Sequence, residues 1–344
     1  MNDLNRQWVL AREAYGEGMC LPEDCFGYNE VSIPEPGKGE ILVRNVYFAC
    51  EPAVHAMVRG VPGRLDPLPV GSVLRGSAAG VVVESNHPAY QAGELVNGSF
   101  EWADYTVMGG TDPRGNPVSK LPAGYPMPTA MTTLGMSGVC AYIGMFRIGK
   151  PKPGDVVVVS AAAGGIGSIA GQLARLAGAT VIGITSSAEK ARRLVDEVGY
   201  DAAIDYRGED VTARLAELAP GGVNVFFDNA GGPILDAVLV NLANWGRIAI
   251  CGGASSYQNP DVGVKSHMLL AQRNGLMQGF WLFDNADIIP EALERIGRWH
   301  TSGDLKDVID IAEGFEAVPG AARGIFDGAN MGKQLVRISD DPTS

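Results

Sequence analysis

A run of small residues, Ser160, Ala161, Ala162, Ala163, Gly164, Gly165, Ile166, Gly167 and Ser168, carries the first chemistry the sequence offers. Without a Cβ at Gly164 or Gly167, backbone N–H groups can approach an anion closely. The start of a following helix adds unpaired N–H groups and the positive end of its dipole. The spacing is AxxGxxG rather than GxGxxG, and a tight strand-to-helix turn with no ligand would use the same residues. The flanking sequence favours the ligand. Val156 to Val159 are four β-branched residues in a row, suited to a strand buried on both faces. After the run, Ile169, Leu173 and Leu176 recur at helical spacing, Gly178 stops the helix, and Thr180 to Ile184 reads as a second strand. Strand, glycine turn, helix and strand make one βαβ unit of dinucleotide-binding length, with the pyrophosphate at Gly164, Gly165, Ile166 and Gly167.

The tip of the second strand selects the dinucleotide. An NAD site places Asp or Glu there to hold the ribose hydroxyls. This chain has Thr185, Ser186 and Ser187, with Glu189 and Lys190 in the start of the next helix. Hydroxyls at Ser186 and a cation at Lys190 suit a 2′-phosphate, so NADP(H) is expected over NAD. A solvated helix lysine is the competing reading of Lys190. No metal is expected. The chain has four histidines, His55, His87, His267 and His300, with no spacing that would assemble three zinc ligands.

Composition bounds the rest. The chain has 344 residues, enough for two domains, and is 46% hydrophobic. Its net charge of −12, without a basic run, argues against nucleic acid and anionic membrane surfaces as partners. No apolar stretch of membrane-spanning length or leader-like start occurs, and five scattered cysteines suggest reduced thiols. A cytoplasmic protein is expected.

The elements that must position the site fall into two groups. Residues 1–125 are rich in short strands separated by Gly and Pro: Gln7 to Ala11, Phe26 to Ile33, Glu40 to Phe48, Gly80 to Glu84, Leu95 to Phe100 and Trp102 to Val107. That pattern predicts a partly open β-barrel lobe. Residues 126–314 begin with a helical patch and continue as alternating strands and helices, which predicts a doubly wound parallel sheet. Its later strands are expected at Ala203 to Tyr206, Val223 to Asn229, Arg247 to Cys251 and Gly279 to Phe283, before a helix from Ile288 to Ser302. The last thirty or so residues read as strand and turn.

The chain resembles the zinc-independent medium-chain dehydrogenases/reductases, in the branch of the leukotriene/prostaglandin, alkenal and curcumin-type reductases. The resemblance spans most of the chain. It is carried by Gly135, Met136, Ser137 and Gly138, by the glycine run, and by Asp205 with Tyr206. Phe227 to Gly232, Gly252 to Tyr257 and Phe326 to Lys333 complete it. It implies an α/β protein: a GroES-like catalytic lobe, 1–125 rejoined by 315–344, and a Rossmann NADPH domain, 126–314, with a cleft between them. It implies Lys190 and Tyr206 at the adenosine end of the cofactor, Asn229 and Asn330 lining the cofactor cleft, and Tyr257 near the nicotinamide ribose and substrate. It implies reduction of the carbon–carbon double bond of an α,β-unsaturated ketone or aldehyde, and a homodimer. A hydroxyl donor at Tyr257 would stabilise the enolate oxygen that forms, in place of a metal.

The sequence departs from the pattern at one place. The branch usually carries Asp-Pro-Tyr-Met-Arg after the third strand of the first lobe. Here Glu51, Pro52, Ala53, Val54 and His55 stand instead, so Ala53 widens the expected substrate pocket and His55 becomes a candidate donor to the substrate, although a lone histidine is more often structural. A quinone reductase with a similar domain, or an NADPH-binding protein without catalysis, would share much of the sequence.

Overall fold

A computed structural model of the chain describes residues 4–14, 20–60, 66–112, 117–258 and 263–344. The chain divides into two compact units: Met1–Met131 with Asp310–Asn330 and Gln334–Ser344, and Thr132–Ile309 with Met331–Lys333.

The strands of the first unit are β1 Leu4–Leu10, β2 Phe26–Ser32, β3 Ile41–Ala49, β4 Arg75–Ser85, β5 Leu95–Glu101, β6 Tyr105–Met108 and β7 Ser119–Lys120. The second unit contributes β8 Val156–Ser160, β9 Thr180–Thr185, β10 Ala202–Asp205, β11 Val223–Asp228, β12 Leu242–Ile250 and β13 Leu276–Gly279. The chain then returns through β14 Ile309–Glu313 and β15 Lys333–Arg337.

β1 and β2 form an antiparallel hairpin of their own. The larger sheet runs β14-β15-β3-β4-β5-β7, with β6 also on β3, and its described strands do not close into a barrel. β3 is its centre because Ile41, Val43, Val46, Phe48 and Ala49 are fully buried. The β3–β4 register shifts between Leu42 and Val43 and again between Asn45 and Tyr47. Such bulges bend a strand pair and free polar groups for side chains. Asn45 Nδ2 donates to the Ala103 carbonyl at 2.8 Å and to Thr106 Oγ1 at 3.1 Å.

The second sheet has the order β10-β9-β8-β11-β12-β13, every pair parallel. That is the 3-2-1-4-5-6 order of a dinucleotide-binding sheet, whose switch point lies between β8 and β11. Val157, Val158 and Val159 are fully buried, as a strand covered on both faces requires. The helix Gly167–Leu176 buries Ile169 and Leu173 but leaves Leu176 exposed, so the inward stripe is one residue shorter than the sequence suggests.

Several expectations need correction. The sixth strand is Leu276–Gly279, and the chain enters a 3-10 segment, Leu282–Ile288, where Gly279 to Phe283 was expected as strand. Trp281 and Phe283 are exposed, so their β-forming character is not backed by burial. The C-terminal stretch is not all strand and turn: Val318–Asp327 is a helix. Its Gly and Ala content hid it, but Val318, Pro319 and Ala322 bury one face. A helix also spans Pro52–Arg59, the stretch that departs from the family pattern.

Candidate active site

The glycine run forms the turn between β8 and the helix Gly167–Leu176. Ala161 has φ +45°, a left-handed conformation that a side chain tolerates poorly. A Cβ on Gly167 would lie 2.3 Å from the Ala161 carbonyl oxygen and 2.8 Å from Ala162 Cα. Only glycine fits there. The N–H groups of Ile166 and Gly167 have no partner among the described residues, while Gly164 and Gly332 form a parallel β-bridge that engages the Gly165 N–H. A cradle that a Cβ would fill, with two unpaired N–H groups at a helix start and the end of a central strand, fits a dinucleotide pyrophosphate.

Residues 331–333 close this turn from behind, a feature invisible in the sequence. Gly332 N–H donates to the Ala163 carbonyl at 2.7 Å, and Lys333 N–H donates to the Val308 carbonyl at 2.9 Å. The Lys333 stem lies against Gly165, where a Cβ would meet it at 3.0 Å. Gln172, buried in the helix, fixes the neighbouring chain at Lys306. Its Nε2 donates to the Lys306 carbonyl at 3.1 Å and its Oε1 accepts the Lys306 N–H at 2.8 Å. Asn330 directly precedes this strap in the chain but belongs to the first unit.

Ser186, Lys190 and Tyr206 gather at the tips of two adjacent strands. β9 and β10 pair through Thr185 and Asp205, and Tyr206 N–H donates to the Thr185 carbonyl at 3.0 Å. Ser187 caps the helix Ala188–Arg193, its hydroxyl accepting the Lys190 N–H at 3.3 Å. Tyr206 is 41% exposed, and the Arg207 guanidinium lies 5.8 Å from its ring centroid. Arg207 was not singled out from the sequence, although its place next to Tyr206 was a signal. Arg192 and Arg193 point their charge elsewhere, onto Asp196 and Glu197.

Asn229 sits just past β11, half-buried, and donates through Nδ2 to the Ser160 carbonyl at 2.8 Å. Tyr257 stands on the short helix Ala254–Gln258; its side chain lies outside the described residues. Among the described residues no group of three or more His, Cys, Asp or Glu side chains is placed to hold a metal ion. Cys140 and Cys251 are hydrogen-bonded to each other, and that bond, together with burial, pushes the Cys251 thiol upward.

In the first unit, Ala53 and His55 lie on the helix Pro52–Arg59. Residues two positions apart on a helix point about 200° apart, and here Ala53 is exposed while His55 is 0% exposed. His55 cannot serve as the expected substrate donor. Its Nδ1 accepts the Leu21 N–H at 2.9 Å, so the proton sits on Nε2, which donates to the Ala322 carbonyl at 3.1 Å. Phe326 meets the ring edge-on at 4.6 Å. Both nitrogens are spent on tying three segments together.

Burial pushes His55 down from 6.5 to about 4. The unfolded chain therefore takes up a proton that the folded chain refuses as pH falls from about 6.5 toward 4. The stability tied to neutral His55 is fully present above 6.5 and is lost by pH 4, an amount on the order of 3 kcal/mol. Urea midpoints of the wild type should fall over this range more steeply than those of His55→Gln. Parallel curves would remove His55 as the cause.

Two family profiles match the chain: one described as N-terminal domain of oxidoreductase over residues 6–114, and one described as zinc-binding dehydrogenase over residues 165–298. The NADPH-dependent curcumin reductase of Escherichia coli is 34% identical, covering 98% of each chain. The NADP(+)-dependent 2-alkenal reductase of Nicotiana tabacum is 36% identical, covering 90% of each. The crystal structure of CurA from Vibrio vulnificus in complex with NADPH superposes with a TM-score of 0.89 at 30% identity, covering 97% of this chain and 99% of that one.

Proposed function

We propose that this chain, which belongs to the medium-chain dehydrogenase/reductase family and to its branch of curcumin, alkenal and prostaglandin reductases, reduces the carbon–carbon double bond of α,β-unsaturated ketones or aldehydes with NADPH. The observation that carries the reading is the glycine cradle at the switch point of a 3-2-1-4-5-6 sheet, with hydroxyl and lysine rather than carboxylate at the β9 tip. The names of the relatives support the substrate class.

The first unit is assigned as the catalytic lobe and the second, which takes in Met331–Lys333, as the nucleotide-binding domain, in place of the expected 1–125 with 315–344 and 126–314. Gly164, Gly165, Ile166 and Gly167 would hold the pyrophosphate, Ser186 and Lys190 the 2′-phosphate, and Tyr206 the adenosine. Asn229 and Asn330 would line the nicotinamide end. When bound, NADPH supplies the hydride. As the β-carbon of the substrate gains it, negative charge moves to the carbonyl oxygen, and the Tyr257 hydroxyl is assigned to donate to that oxygen. The α-carbon then takes a proton from water. A zinc-free mechanism is supported by the ligand chemistry, since His55 is committed to backbone groups. Ala53, exposed on its helix, is assigned to substrate preference.

Consumption of NADPH against paired enone and quinone panels tests the reaction. Turnover of enones to saturated ketones supports it, and turnover of quinones alone replaces it with quinone reduction. Tyr257→Phe should lower kcat by about tenfold to a hundredfold, the weight of one hydrogen bond to developing charge, with NADPH affinity nearly unchanged. Unchanged kcat would take the role from Tyr257.

A homodimer through the edge of the second sheet is part of the same reading. β13 is the edge strand, and Leu276, Trp281 and Phe283 are 50%, 55% and 54% exposed there. Light scattering that gives a monomer mass at micromolar concentration would dismiss it. Cytoplasmic residence is supported by all five cysteines being thiols. No helix among the described residues is long and apolar enough to cross a membrane.

A further inference from the structure

Ser160 and Asp228 end the two central strands, β8 and β11, on either side of the switch point. Both are fully buried. Ser160 Oγ donates to Asp228 Oδ1 at 2.8 Å and accepts the N–H groups of Asn229 at 2.8 Å and Ala230 at 3.1 Å. The same carboxylate oxygen accepts the N–H groups of Ala230 and Gly231, each at 2.9 Å. Asn229 Nδ2 closes the loop on the Ser160 carbonyl. The amide end of the carboxamide is thus fixed, while its Oδ1 has no partner among the described residues.

The clamp extends past Asn229. The Asp228 carbonyl accepts the N–H groups of Cys251 at 2.8 Å and Gly252 at 3.1 Å. The Asn229 carbonyl accepts that of Ala254 at 3.0 Å, and the Ala230 carbonyl that of Ser255 at 2.9 Å. These bonds hold the chain that enters the helix bearing Tyr257. The arrangement also carries a cost: Asp228 Oδ2 is buried with no partner among the described residues. Burying an unpaired carboxylate oxygen is unfavourable, and such groups in native folds call for a role. Burial pushes the Asp228 carboxyl above its ordinary range, opposed by the bonds from Gly231, Ala230 and Ser160.

We propose that Ser160 and Asp228 are positioning residues of the reductase site, a buried clamp that sets the Asn229 carboxamide toward the nicotinamide end of the cofactor and, through the same turn, sets the segment carrying Tyr257. The inference rests on the reductase reading above. It gives two residues outside the cofactor-binding set a defined part in binding and turnover.

Fluorescence titration of the full chain with NADPH tests the clamp. Ser160→Ala should raise the NADPH Kd by about tenfold, the size of one hydrogen bond to a charged group. In an Asn229→Ala background the same change should alter Kd by less than about twofold, because the two act through one contact. Equal losses in both backgrounds would reduce Ser160 to a general stability role and overturn the proposal. So would an unchanged Kd in Ser160→Ala. Asp228→Asn keeps the accepting oxygen and should hold Kd within about twofold of the wild type; a loss as large as that of Ser160→Ala would also overturn it. In the ligand-free protein, amide exchange at Ala254 and Ser255 should quicken in Ser160→Ala and stay slow in Asp228→Asn. The reverse order would contradict the shared turn. Failure of the wild type to bind NADPH would instead bring down the reductase reading itself, a distinguishable result.

Discussion

Replacing Gly167 with alanine is expected to weaken NADPH binding by about a hundredfold or more. The new Cβ would sit 2.3 Å from the Ala161 carbonyl oxygen and 2.8 Å from Ala162 Cα. Both obstacles are backbone, so no flexible side chain can give way. Ala161 already stands at φ +45°, which leaves the turn little room to adjust on that side. The turn must open, and opening it moves the N–H groups of Ile166 and Gly167 away from the place an anion would take. A hydrogen bond to a charged group contributes about 1.5–3 kcal/mol, so misplacing both is enough for the expected loss. Overpacking also costs the fold about 1–3 kcal/mol, so the thermal midpoint of the ligand-free protein must be read alongside. Gly221→Ala is the control, because a Cβ there meets nothing within 4 Å. Calorimetric titration of both variants decides the matter. If Gly167→Ala binds NADPH within about fivefold of the wild type, the loss that two bonds require is absent and this turn is not the pyrophosphate cradle.

The sequence announced this turn because local rules agree there. Four buried β-branched residues, then small residues, then a helical stripe can be read without knowing any distant contact. The alternation of the first five parallel strands was legible for the same reason, since each carries its own apolar run, whereas the sixth, Leu276–Gly279, is largely exposed and was expected too late in the chain. The place of His55 was hidden because its partners, Leu21 and Ala322, lie 34 and 267 residues away in the chain. Nothing in the spacing of Glu51 to Met57 shows which ring nitrogen is spent, or that any is. The strap behind the glycine turn was hidden likewise. Its residues were noticed as a family signature, but the bond from Gly332 to Ala163 joins segments that only the tertiary fold brings together. Val318–Asp327 escaped because its buried face is made of Val, Pro and Ala, which give little periodic contrast against glycine and alanine neighbours. Ser160 and Asp228 lie in stretches that carry the family resemblance, but neither drew a role from the sequence. Their significance lies in hydrogen bonds across the switch point, which no one-dimensional pattern encodes.

The sharpest chemical reading taken from sequence alone is the preference for NADP(H), and Lys190 is where it can fail. The lysine occupies the first turn of its helix, the end at which the backbone dipole disfavours a cation. Ser187 nonetheless fixes that turn by accepting the Lys190 N–H, at a strand tip that bears hydroxyls and no carboxylate. A cation held against the local electrostatic preference is understandable if an anion shares the place. A 2′-phosphate is the anion that distinguishes the two cofactors. Lys190→Ala should therefore weaken NADPH by about tenfold to a hundredfold, the loss of one or two charge-assisted bonds, while NADH affinity changes by less than about twofold. The effect on NADPH should shrink at high salt, since an exposed ion pair is screened over about 8 Å at physiological ionic strength. Ser186→Asp pushes the same balance from the other side: a carboxylate at the β9 tip repels the phosphate and offers an acceptor to the ribose hydroxyls of NADH. The two variants should therefore move the NADPH-to-NADH affinity ratio in the same direction by different routes, one by removing attraction and the other by adding repulsion. Equal losses for both cofactors in Lys190→Ala would mean that the lysine supports the turn rather than the phosphate. The preference would then have to come from Tyr206 and the neighbouring Arg207, whose guanidinium is the remaining cation placed beside that strand tip by the described contacts.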